Sequence, residues 1–144
     1  MAVELTASAV QAVAPGQNVL FTDAPIECNR GYVVHRDGAG LVTLRGICSG
    51  CSTLARYRVL FVGNISVPTG GTAGAISVAL ALGGEALPTT TATVTPAAAG
   101  DAFNVATSAF VDVPRNCCVT LSVRNISAQA IDVANANLMI ERVA

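Results

Sequence analysis

Aromatic and charged residues are scarce in this 144-residue chain, at 4% and 12%, while hydrophobic residues make up 52%. Globular proteins carry roughly 25% charged residues, so a soluble domain this poor in charge has difficulty covering its surface with polar groups. Either the chain spans a membrane or it buries further surface against copies of itself. No run of about 20 consecutive apolar residues exists, because Gly, Ser, Thr or Asn interrupts every candidate, and this excludes a membrane-spanning helix. Six aromatics, with no Trp, cannot furnish the two aromatic girdles of an outer-membrane barrel. The start, Met1-Ala2-Val3-Glu4-Leu5, lacks the basic and long apolar regions of a signal peptide. Self-association is the remaining account.

Lysine is absent, so all eight cations are Arg, set against nine acids for a net charge of −1. A nucleic-acid partner calls for a clustered basic surface that this balance does not provide. Arg suits fixed bidentate pairs with carboxylates, and the acids suffice to pair most of the cations. Acidic residues occur singly, without the paired spacing of glycoside hydrolysis or a calcium-loop pattern. No phosphate-binding glycine loop and no nucleophile elbow is present. The expectation is a protein without catalytic residues and without a cofactor.

What is present is strand after strand. Helical periodicity is hard to find, and Pro15-Gly16 stops the one short candidate, so this stretch reads as an extended arm or a first strand, and residues 1–16 as an N-terminal arm or attachment segment with Val3, Leu5, Val10 and Val13 as its apolar contacts. Asn18 to Thr22 is a short apolar run. Tyr32 to Arg36 and Leu41 to Arg45 flank the turn dipeptide Asp37-Gly38. Tyr57 to Val67 is apolar on both parities, with Leu60 and Val62 on one face and Val59, Phe61 and Ile65 on the other, and reads as a strand covered on both sides. In Ala75 to Leu82, Ile76, Val78, Leu80 and Leu82 alternate with small residues, before Gly83-Gly84 turns the chain. Ala92 to Thr95, Asn104 to Val113, Cys118 to Asn125 and Leu138 to Val143 complete the set. About ten short, regularly spaced strands without room for crossover helices predict an all-β antiparallel sandwich over residues 17–144.

Asn18-Val19-Leu20-Phe21-Thr22, Tyr57-Arg58-Val59-Leu60-Phe61-Val62, Ile76-Ser77-Val78-Ala79-Leu80 with Gly83 to Pro88, and the closing Leu138 to Ala144 resemble strands of the jelly-roll trimers of the tumour necrosis factor and complement globular-head class. They resemble in particular the C-terminal domains of collagen-like glycoproteins on bacterial spore surfaces. The resemblance implies a jelly roll that assembles as a homotrimer, with Tyr57, Phe61, Ala79, Ala81, Phe103 and Phe110 as trimer-interface candidates. The 144 residues contain no Gly-X-Y stalk, and the segment 29–52 has extra cysteines foreign to the spore proteins. In those respects the chain is similar to accessory domains of tailed-phage and prophage structural proteins. The resulting expectation is a structural trimer that decorates or caps a virion, made in the bacterial cytoplasm, with other virion or surface-layer proteins as partners. The alternatives are a spore-surface protein and a receptor- or glycan-binding tip.

A third class rests on the five cysteines. Cys48-Ser49-Gly50-Cys51 has the spacing of a zinc knuckle or redox pair, with Cys28 and His35 as further candidate metal ligands; a disulfide or thiols in a turn are the competing readings. Cys117 and Cys118 alternate faces, so at least one is expected to be a small buried hydrophobe. Asn64-Ile65-Ser66 and Asn125-Ile126-Ser127 match the glycosylation acceptor pattern and read equally as strand residues.

Overall fold

A computed structural model describes residues 2–27, 31–46, 53–116 and 118–143. Twelve strands occur among them: β1 (Ala2–Ala7), β2 (Gln11–Val13), β3 (Asp23–Ile26), β4 (Val33–His35), β5 (Val42–Arg45), β6 (Leu54–Ser66), β7 (Ile76–Leu82), β8 (Glu85–Ala86), β9 (Ala92–Val94), β10 (Ala102–Pro114), β11 (Cys118–Asn125) and β12 (Ile131–Arg142). A single 3-10 turn, Pro88–Thr90, interrupts them. All pairings are antiparallel. Sheet A has the order β10-β6-β12-β1-β3, with β2 also on β12; sheet B has the order β4-β5-β11-β7-β8, with β9 on β7.

The two sheets stack with one face of each turned inward. From sheet A come Val3 and Leu5, Tyr57, Val59, Phe61 and Ile65, Val111, and Leu138 and Ile140; from sheet B come Val42 and Leu44, Ile76, Val78 and Leu80, and Leu121 and Val123. Each set has period 2, which places successive members on one side of a strand. The turns follow residue chemistry. Gly83 and Gly84 take φ of +60° and +87° between the paired Leu82 and Glu85, the left-handed backbone that a two-residue hairpin requires. At Asp37-Gly38 the Ala39 amide donates to Arg36 O at 2.9 Å, closing the expected turn.

Two sequence expectations are corrected here. Of the two readings of the N-terminal segment, residues 2–7 are the first strand and not an arm: β1 is flanked by β12 and by β3, so Val3 and Leu5 are core residues. Val13, on β2, is buried as well, and only Val10 stands in solvent. The partner that captures β1 is the far end of the chain, pairing Leu5 with Leu138. Asn18 to Thr22, in turn, forms no ladder. Its Val19 amide donates to Val123 O in sheet B and its Thr22 amide to Thr6 O in sheet A. A segment crossing between sheets cannot follow one partner, although Val19 and Phe21 remain fully buried.

Asn125 closes one end of the sandwich. Its Nδ2 donates to Val13 O at 2.9 Å and to Gln129 O at 3.0 Å, and its Oδ1 accepts from the Ser127 amide at 2.9 Å. Ser127 Oγ accepts from the Ser77 amide and donates to Ser77 O. The Asn125-Ile126-Ser127 triplet is therefore an internal clasp: a fully buried amide with these bonds made is closed to a glycosylating enzyme.

Candidate interaction surface

The outward face of sheet A gathers the side chains left over from the core. On β6 these are Arg56, Arg58, Leu60, Val62 and Asn64, and on β10 they are Asn104, Ala106, Ser108, Phe110 and Asp112. Register sets Ala106 against Val62 and Ser108 against Leu60, and on the other side Leu60 against Met139 and Val62 against Asn137. An apolar strip of Val62, Leu60, Met139 and Ala106 thus runs across the sheet with no layer of the described residues above it. β6, expected to be covered on both faces, is covered on one only: Val59 and Phe61 are inside, whereas Leu60 and Val62 are half-buried.

Beside the strip lies a groove of about 380 Å³ with Ile26, Leu60 and Met139 as its apolar walls and Glu4, Arg58 and Glu141 around them. The polar groups of this face engage one another. Arg58 Nη2 meets Glu141 Oε2 at 2.7 Å, Asn137 Nδ2 donates to Glu4 Oε1 at 2.9 Å, and Asn104 Nδ2 donates to Asn64 Oδ1 at 3.2 Å. Asn137 Oδ1 is buried and has no donor among the described residues.

Arg56 grips Asp112 with a fork, Nε to Oδ1 at 2.7 Å and Nη2 to Oδ2 at 3.0 Å. The hydrogen bond from Arg56, aided by its charge, holds the Asp112 carboxyl below the usual aspartate range although partial desolvation opposes this. A carboxyl lowered in the folded state contributes stability above its unfolded value, near about 4, and loses it as pH falls through the lower folded value. The contribution is small because both side chains are about half exposed. Asp112→Asn should therefore destabilise the chain slightly at neutral pH and progressively less below about pH 4. Urea unfolding of both proteins at the two pH values checks this, and a gap that does not close in acid contradicts it.

The six interface candidates divide sharply. Tyr57, Phe61, Ala79 and Ala81 are at 0% exposure inside the single chain, so they offer no side-chain surface to a neighbour. Tyr57 and Phe61 point into the sandwich, with Tyr57 Oη donating to Arg45 O. Ala79 and Ala81 sit on the outward parity of β7, opposite Arg124 and Ser122, yet are enclosed. Phe103 and Phe110 are exposed, Phe110 to 66%. Met139, Leu60 and Ile26, which line the groove, were not singled out from sequence as contact residues; the signal for Leu60 and Val62 was their apolar character on the parity opposite Phe61.

Cys28, Cys48, Cys51 and Cys117, the residues of the cysteine reading, lie outside the described residues. Among those described, no three His, Cys, Asp or Glu side chains converge as a metal site. His35 Nε2 lies 2.9 Å from Ala39 O and its ring meets Phe21 edge-on, centroids 6.4 Å apart. It packs at the margin of the sandwich, under the turn that follows β4. Cys118, at the start of β11, is exposed and so is not the buried small hydrophobe that the Cys117-Cys118 pair was expected to include.

No protein-family model matches the chain, and no curated protein is similar to it in sequence. Solved structures are. The globular domain of a zebrafish complement 1qA protein superposes with a TM-score of 0.63 at 11% identity, over 99% of this chain and 97% of that one. The Eiger tumour necrosis factor of S. frugiperda superposes with a TM-score of 0.71 at 10% identity, over 100% and 92%. At such identity the likeness is one of fold: this chain is a two-sheet antiparallel jelly roll of the kind found in the complement 1q head and tumour necrosis factor.

Proposed function

We infer that this chain is a structural module that assembles as a homotrimer through the outward face of sheet A and decorates or caps a larger particle, a phage or prophage virion. The observation that carries the reading is the uncovered apolar strip of Leu60, Val62, Met139 and Ala106 in a chain with only 12% charged residues. Contiguous apolar surface of this kind on a soluble domain marks an interaction site. Arg56, Arg58, Asp112 and Glu141 pair within the chain, so a second copy approaches without unbalanced charge from these four. The shared fold with the complement 1q head and tumour necrosis factor agrees with a trimeric structural or binding module. The role proposed is mechanical, not catalytic.

Two measurements test it. Light scattering at micromolar concentration should return three times the mass of one chain, and a stable monomer would remove the homotrimer. Particles purified by density gradient from an induced lysogen should contain the protein in fixed ratio to the major capsid subunit. Recovery only in the unassembled fraction would remove the virion role.

A further inference from the structure

We propose that the groove on sheet A receives Phe110 of a second copy of this chain, a knob-in-groove contact that joins neighbouring protomers. The assignment rests on the homotrimer reading and names the residues that make it.

Phe110 is the most exposed aromatic side chain, at 66%. It stands on β10, the end strand of sheet A, which pairs with β6 alone in that sheet. Its cross-strand neighbour is Arg58 and the next outward residue is Asp112, and it shares a shallow recess with Arg56, Asp112 and Val143, so within its own chain the ring has mostly polar company. Burying a Phe side chain is favourable, and at this exposure the described residues collect only a small part of that gain. The groove has the complementary defect: Ile26, Leu60 and Met139 form an apolar recess that no described side chain fills. A cavity of about 150 Å³ admits benzene, so about 380 Å³ has room for a benzyl group together with its neighbours on the incoming strand.

Knob and groove sit at different places on one face. Phe110 is on the outermost strand, at the rim where Ser108 and Arg58 begin the groove, which then reaches inward across β6 and β12 to β1 and Ile26. A protomer can therefore present its edge to one neighbour and its groove to another, which is the head-to-tail pattern that closes into a ring. The face is long enough to serve both contacts. The β6–β10 ladder pairs 13-residue strands, about 40 Å at about 3.3 Å per residue, and four strands at about 4.8 Å span about 19 Å, narrowing to the six residues of β1. This area of up to about 800 Å² is divided between two neighbours, so each contact draws on only part of it. The occupant thus supplies an apolar knob and carries little net charge, which a second copy of this chain does.

Phe110→Arg and Met139→Arg, each at an exposed position, test the contact separately from the fold. Both variants should keep the wild-type circular dichroism spectrum, and by light scattering both should fall threefold in mass to the single chain. Phe110→Arg keeps an intact groove and Met139→Arg an intact knob, so an equimolar mixture should form a one-to-one dimer. A mixture that stays monomeric overturns the knob-in-groove assignment. A Phe110→Arg protein that remains trimeric, like the wild type, overturns it too and leaves the homotrimer standing. A monomeric wild type overturns both.

Discussion

Phe61→Ala should lower the unfolding free energy by about 3–5 kcal/mol, the range for removing a large aromatic side chain from a packed core, and should do so at every protein concentration. The ring is wholly enclosed and its tip lies so close to Gly63 that a Cβ there would come within 2.9 Å of it. Gly63 is thus the space the ring occupies on its own strand, two residues along the same inward face. Because the phenyl group is inside one protomer, its loss acts on folding before it acts on assembly. Urea unfolding followed by circular dichroism over a hundredfold range of concentration separates the two. A Phe61→Ala protein that unfolds like the wild type once both are monomeric would place the ring at an interface and contradict the packing described here.

Asn125→Ala should cost about 3 kcal/mol or more, from several buried hydrogen bonds lost together. The substitution strands Val13 O, Gln129 O and the Ser127 amide, and each polar group left buried without a partner costs about 1–3 kcal/mol. The effect should extend beyond the site, because the Val13 carbonyl ties β2 to the end of β11. Amide hydrogen exchange should accelerate at Val13, Ser77 and Ser127 ahead of global unfolding. Exchange that speeds uniformly, with no lead at these amides, would mean that Asn125 is not a local clasp. Asn125→Asp separates hydrogen bonding from size: it retains the acceptor for the Ser127 amide but turns a buried carboxylate toward the Val13 and Gln129 carbonyls, and at neutral pH it should cost at least as much as Ala.

Much of the fold was legible because strands write themselves in period 2. The large-small alternation of Ile76 to Leu82 predicted which residues enter the core, and Ile76, Val78 and Leu80 do so. Asp37-Gly38 and Gly83-Gly84 announced their turns. Phe110 was legible in principle as well. Val105, Val111 and Val113 share one parity and are buried, while Phe110 keeps the other with Asn104, Ser108 and Asp112. In β6 the same reasoning stalls, since both parities are apolar and either could be the inner one.

By itself, then, the sequence determined an all-β sandwich, most of its strands and turns, and a composition poor in charge. These are local properties, carried by residue type and spacing along a few consecutive positions. Only the tertiary structure decided that residues 2–7 are an interior strand, since that depends on pairing with residues 136–141. It also decided which apolar face of β6 is buried, placing Phe61 inside and Leu60 beside an open groove. The physical reason is common to both. Strand pairing and sheet stacking join segments far apart in the chain, and no alternation within one strand records which of its faces the opposite sheet will cover.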